Sequence, residues 1–243
     1  MKVADLVKIV DEIAPLETAE PWDNVGLLVG NLDEEVTGVM LCVDATLAVM
    51  QRAIAQGCNV ILSHHPLMFG GVKHLRQDEY EGALLRCLVK NDLNLIAAHT
   101  NLDEAQGGVE DALASALGIQ VDKAEQFVRC GTVAQQSEGD FLLTVKEFLN
   151  PQAVFYGDVN REVSRVAVSC GGGGEFFREA MRMGATLFVT GEMKHHERIE
   201  AQGCGMDVII AGHEETEFVV LKPLKKRMEA ALGEEKIVVI TVR

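Results

Sequence analysis

The strongest constraint on the fold is a strand–helix–strand unit that occurs twice at one spacing. VMLCVDA, a helical stretch and AQGCNVILSHH in the first half are answered by VAVSCGG, a helical stretch and RMGATLFVTGE in the second. Val39 matches Val166, Gly57 matches Gly184 and Ser63 matches Thr190, all at an offset of 127 residues. IAAHT at 96–100 is then matched by IAGHE at 210–214, which aligns His99 with His213. A shared offset along a whole unit points to duplication, because chance resemblance between apolar runs does not keep register. Strands alternating with helices favour a largely parallel sheet under covering helices. The expected fold class is α/β, with two related halves at 1–120 and 162–243. A connecting segment, 121–161, receives no assigned element.

Local signals support this reading. Val3, Leu6, Val10 and Ile13 make a helical stripe that Pro15 helps to stop. The loop EPWDN leads to an apolar run, Val25 to Val29, and Val39 to Val43 reads as a buried strand. Thr46 caps a helix running to Ala55, with Gly57 in the stop position. The strand Val60 to Leu62 runs into Ser63-His64-His65-Pro66. A helix from about Asp78 to Lys90 precedes the strand Leu95 to Ala98 and the segment His99 to Asp103.

Composition narrows the function. At 243 residues, 48% hydrophobic and 24% charged, the chain can bury a full core. A net charge of −15 argues against a protein that holds nucleic acid by its phosphates, although bound divalent cations could still draw in a small anion such as a nucleotide. No apolar run approaches the length of a bilayer. The first residues, MKVADLVKIVDEI, carry acidic groups where a signal peptide needs an unbroken apolar stretch. A cytoplasmic protein with no membrane partner is expected. The six scattered cysteines form no CxxC pair and read as reduced core residues.

The polar residues carry the chemistry. His64 and His65, His99 to Asp103, Gly191-Glu192 and His213 to Glu217 each follow an apolar strand, where parallel sheets gather ligands. In extended chain His64 and His65 point to opposite faces, so they suit two ions about 3.5–4 Å apart better than one. Pro66 holds His65 extended. His213 and Glu217 stand four apart and face the same way on a helical turn, and Asp103 adds a hard oxygen. Three imidazoles, two carboxylates and no thiolate suit Zn²⁺, Mn²⁺, Fe²⁺ or Ni²⁺.

At these residues the chain resembles a known family. WDNVGL (22–27), SHHP (63–66), HTNLD (99–103), TGEMKHH (190–196) and GHEETE (212–217) are similar to the motifs of the Nif-three-like family, whose members are dinuclear-metal proteins often labelled GTP cyclohydrolase 1 type 2 homologues. The resemblance spans essentially the whole chain. It implies His64, His65, Asp103, His213 and Glu217 as ligands of two divalent ions per chain, with Glu217 touching both. It also implies a toroidal homohexamer whose sites face an internal cavity. Some relatives carry a long insertion between the halves, for which this chain is too short.

The expected activity is metal-dependent hydrolysis of a nucleotide, nominally GTP opened at its purine ring, or of a phosphoester. Glu192, Lys194 and His196 are the candidates for acid–base or substrate-contacting roles. The alternative is a non-catalytic metalloprotein ring acting as an adaptor, metal store or regulator. His99 is expected to orient a ligand carboxylate. Gly171 to Gly174 is either a phosphate cradle or a tight strand-to-helix turn. Trp22 to Asn24 reads as a loop anchor from which Asp23 could reach the site.

Overall fold

A computed structural model describes residues 1–233, 235 and 237–242. The chain divides into two compact units, Met1–Ala105 with Leu221–Arg243, and Gln106–Val220. These bounds differ from the expected 1–120, 121–161 and 162–243. The C-terminal segment joins the first unit, and the connector belongs wholly to the second.

The first unit begins with α1 (Val3–Ile13), whose buried stripe is Val3, Leu6, Val10 and Ile13. There follow β1 (Gly26–Val29), β2 (Gly38–Cys42), α2 (Leu47–Ala55), β3 (Val60–Ser63), α3 (Tyr80–Lys90), β4 (Asn94–Ala97) and a single turn of helix, α4 (Thr100–Glu104). Thr46 caps α2 by accepting the Val49 N–H at 3.2 Å. β2, β3 and β4 are buried along their whole length, as strands covered on both faces must be. That burial explains their uninterrupted apolar sequences.

The second unit contains α5 (Val109–Ala116), β5 (Gln120–Glu125), β6 (Val128–Ser137), α6 (Glu138–Phe148), β7 (Val154–Tyr156) and β8 (Glu162–Ser169). It continues through α7 (Phe177–Arg182), β9 (Leu187–Thr190), α8 (His195–Gly203), β10 (Asp207–Ile210) and α9 (His213–Phe218). Its sheet runs β5-β6-β8-β9-β10-β7. Only β8, β9 and β10 are mutually parallel; β5, β6 and β7 join antiparallel. This sheet is therefore mixed, and the segment left unassigned supplies its antiparallel strands. Phe177, Ala180 and Phe188 pack in its core, where a buried side chain as large as Phe contributes about 1.5–3 kcal/mol.

The chain then returns to the first unit through α10 (Leu221–Leu232), with Pro223 tolerated in its first turn, and β11 (Val238–Thr241). β11 adds parallel to β2, giving the order β1-β4-β3-β2-β11, with β1 the one antiparallel strand. Among the described residues no helix is long and apolar enough to cross a membrane.

Candidate metal centre

In the first unit, β2, β3 and β4 are parallel neighbours, so the residues following their carboxyl ends collect on one edge. These are Asp44 after β2, His64 and His65 after β3, and His99 after β4. Pairing continues past the strands: the N–H groups of His64, His65 and Ala98 donate to the carbonyls of Cys42, Val43 and Ser63 at 3.0, 2.9 and 3.0 Å.

The structure corrects one expectation here. The strand ends at Ser63 and the chain bends at His64-His65, with the Ser63 hydroxyl donating to the His65 carbonyl at 2.7 Å. Strand alternation no longer applies, so the two rings lie together with centroids 4.9 Å apart. The His99 ring stands 5.1 Å from His64 and 5.5 Å from His65. One ring nitrogen from each of the three lies within 4.8 Å of the others, a grouping that could hold a metal ion.

The inward ring nitrogens fix how each ring is turned. Nδ1 of His64 meets the Ala98 carbonyl at 3.0 Å, Nδ1 of His65 meets Asp44 Oδ1 at 3.0 Å, and Nδ1 of His99 meets Asp23 Oδ1 at 3.0 Å. Each partner is an acceptor, so each Nδ1 carries the proton and a neutral ring leaves its Nε2 lone pair for a ligand. Nε2 of the buried His64 lies 3.5 Å from Oδ1 of Asp103 on α4. A lone pair facing a carboxylate is repulsive unless a cation stands with them, and this is how the donor set fits a divalent ion. Burial, and then the neighbouring His64, hold the His99 pKa below the ordinary value.

Two carboxylates support these rings: Asp23, expected as a residue that could reach the site, and Asp44, which follows β2 but was not singled out from sequence. Asp23 has a fully buried side chain and accepts from the Thr100 N–H and hydroxyl at 3.1 and 2.5 Å, so it opens α4 as well as holding His99.

The second unit repeats the arrangement. Gly171 follows β8, Glu192 follows β9 and His213 follows β10, and pairing again overruns the strands, with Ala211 N–H on the Thr190 carbonyl at 2.8 Å. His213 Nε2 lies 3.0 Å from Glu217 Oε1, one turn on along α9, and its Nδ1 lies 3.2 Å from Glu192 Oε2. The hydrogen bond to Glu217, opposed by burial, and then the charges of Glu217 and Glu192 push the His213 pKa up to about 9. An imidazolium between two carboxylates holds cationic charge where a metal ligand set would place an ion.

Gly171 makes room for this pair. A Cβ there would fall 2.3 Å from Glu217 Oε1 and 3.0 Å from His213 Nε2, and its φ is +50°. The rest of the glycine run is a tight turn. The N–H groups of Gly171, Gly173 and Gly174 donate to Thr216 Oγ1, the Cys170 carbonyl and the Glu192 carbonyl, so they are committed within the protein and not to a phosphate.

Lys194 caps the start of α8 and its Nζ lies 3.3 Å from Glu197 Oε1. It lines, with Gly172, Glu192, Met193, Glu197 and Ile210, a cleft of about 540 Å³. His196 is exposed in the first turn of α8.

A family model described as Duf34/NIF3 (NGG1p interacting factor 3) matches residues 1–243. The chain belongs to this family. A Clostridium perfringens protein named GTP cyclohydrolase 1 type 2 homolog is 32% identical over 247 positions, covering 97% of this chain and 94% of its own. The crystal structure of a Staphylococcus aureus hypothetical protein has a TM-score of 0.93 at 34% identity, covering 100% of this chain and 96% of that one. Reduced HcgD from Methanocaldococcus jannaschii has a TM-score of 0.83 at 27% identity, covering 99% and 98%. The two α/β halves with mixed sheets are the fold of this family.

Proposed function

We propose that the protein binds two divalent metal ions through His64, His65, Asp103, His213 and Glu217 and uses them to hydrolyse a nucleotide or phosphoester. The observation that carries this reading is His64 Nε2 facing Asp103 Oδ1 at 3.5 Å, with the His64 proton committed to the Ala98 carbonyl. The family's motifs support grouping the five as one ligand set, and relatives named GTP cyclohydrolase 1 type 2 homolog support a hydrolase. Bound divalent ions would supply Lewis acidity and an acidified water.

The chain's own residues prepare that chemistry. Asp44 and Asp23 fix the rings of His65 and His99 by holding a proton at each Nδ1. Glu192 does the same for His213, from the cleft that Lys194 shares. Lys194 lines that cleft beside Glu192 and its ion-pair partner Glu197 and stands as a substrate-contacting candidate. His196 is another. A cytoplasmic ring of six chains completes the proposal.

Elemental analysis of purified, reconstituted protein tests it. Close to two ions per chain is expected, falling in His64→Ala and Asp103→Asn, with turnover of GTP or a phosphoester lost in parallel. An absence of metal after reconstitution overturns it, and light scattering near the mass of a single chain overturns the ring.

A further inference from the structure

The chain exposes its one tryptophan. Trp22 is 59% exposed and Phe69 57%, and their rings stack with centroids 6.4 Å apart and planes 30° from parallel. Both rings meet His99 edge-on, Trp22 at 6.0 Å and 76° and Phe69 at 5.8 Å and 74°. Two large aromatic faces thus stand in water directly beside the cluster of His64, His65 and His99. Neither is a loose surface residue. Trp22 occupies the third position of a turn closed by the Asp23 N–H on the Glu20 carbonyl at 2.9 Å, with Pro21 at the favoured second position. The next residue, Asp23, is tied to His99 and Thr100. Phe69 follows Met68, whose carbonyl accepts the Asn24 side-chain amide at 2.7 Å, so the two loops are fastened to each other at the base of the ring pair.

The geometry points to Trp22 and Phe69 as a stacking platform for a planar heterocycle, of the nucleobase class, at the edge of the histidine cluster. This rests on the metal-site reading above and names the substrate class of that site. A flat ring laid against either aromatic stands steeply to the His99 plane and within a few ångströms of the histidine cluster. Stacking needs no charge, and so it secures the ring of a nucleotide despite the acidity of the chain. The two loops are fastened before any guest arrives, so little ordering is lost on binding.

The sole tryptophan makes the test direct, because all tryptophan fluorescence reports Trp22. Full-length protein, metal-loaded and metal-free, is titrated with guanosine, adenosine, ribose 5-phosphate and inorganic tripolyphosphate, with absorbance correction. Saturable quenching by the nucleosides and none by the other two is expected. Phe69→Ala should raise the nucleoside dissociation constant about 5- to 160-fold, the range seen when a base–aromatic stack is lost, while metal content stays at the wild-type level. By calorimetry Trp22→Phe should retain nucleoside binding and Trp22→Ala should lose it. No saturable quenching by nucleosides, equal quenching by tripolyphosphate, or an unchanged constant in Phe69→Ala overturns the proposal. So does a Trp22→Ala protein that falls to a smaller assembly in light scattering, since a second copy of the chain would then cover the rings. Nucleoside quenching in a wild type that takes up no metal strikes the dinuclear reading alone.

Discussion

Gly171 and Glu217 approach so closely that no side chain fits between them: a Cβ on Gly171 would sit 2.3 Å from the carboxylate oxygen that also meets His213. The backbone at Gly171 is left-handed, with φ +50°, which an alanine adopts at a cost of about 1–2 kcal/mol. Gly171→Ala is therefore expected to fold, to melt about 2–8 °C lower, and to push Glu217 away from His213. Thermal scanning and metal analysis check both effects. A variant with wild-type metal content would show that Glu217 is not a ligand.

Asp44 holds the His65 ring in place. Its carboxylate takes the Nδ1 proton and sets which nitrogen the ring offers. Asp44→Ala leaves all five proposed ligands in place, yet metal affinity is expected to fall about 10- to 100-fold, as measured by competition with a chelator. In a double-mutant cycle the effects of His65→Ala and Asp44→Ala should add to less than their sum, since part of what the aspartate does is orient that ring.

Much of this site is legible in the sequence because one rule places it. Residues that follow buried parallel strands share an edge, and the strands announce themselves as uninterrupted apolar runs. His64, His65, His99 and His213 are found that way. What the rule misses has physical causes. β5 reads QVDKAE and is exposed at all six positions, so it carries no apolar period to detect. The divergence of His64 and His65 assumes a strand that in fact ends one residue earlier. Asp44 follows β2 and so obeys the same rule, but a lone aspartate in CVDAT carries no ligand pattern, while the contact of Asp23 with His99 spans 76 residues of sequence. The grouping of the C-terminal helix and strand with the first unit depends on β11 pairing with β2, a contact about 200 residues distant in sequence.

His213 sets a pH dependence for metal uptake. Its pKa is raised from 6.5 to about 9 by Glu217 and Glu192, so in metal-free protein it is protonated at neutral pH. A metal ligand must be the neutral imidazole, so binding releases that proton. Between about pH 6.5 and 9, affinity is expected to rise with pH, by up to about tenfold per unit for this proton, and to level off above 9. Calorimetry at pH 7.5 in two buffers of different ionisation heat should count about one proton released from this histidine. The metal-free fold shows the opposite sign: the imidazolium's contribution is fully present below pH 6.5 and is lost as pH rises through 9. A metal affinity that is flat over this range would remove His213 from the ligand set.

A second buried acid lies away from this centre. Glu138 opens α6 just after its cap, Ser137, and is wholly buried. Burial, and then the Asp207 carboxylate to which its protonated form donates, push its pKa from 4.5 up to about 8. One oxygen of Asp207 meets Arg161 Nη1 at 3.0 Å and accepts the Asp158 N–H at 3.2 Å. Between pH 4.5 and 8 the folded chain keeps the Glu138 proton while the unfolded chain has lost it. Folding therefore takes up a proton, and this group lowers stability as pH rises through that window, with no further loss above 8. Glu138→Gln cannot ionise and can still donate to Asp207. Its melting temperature is expected to gain on wild type by about 7–14 °C between pH 5 and pH 8. Differential scanning calorimetry across the range checks this, and parallel curves for the two proteins would place the shared proton on Asp207 instead.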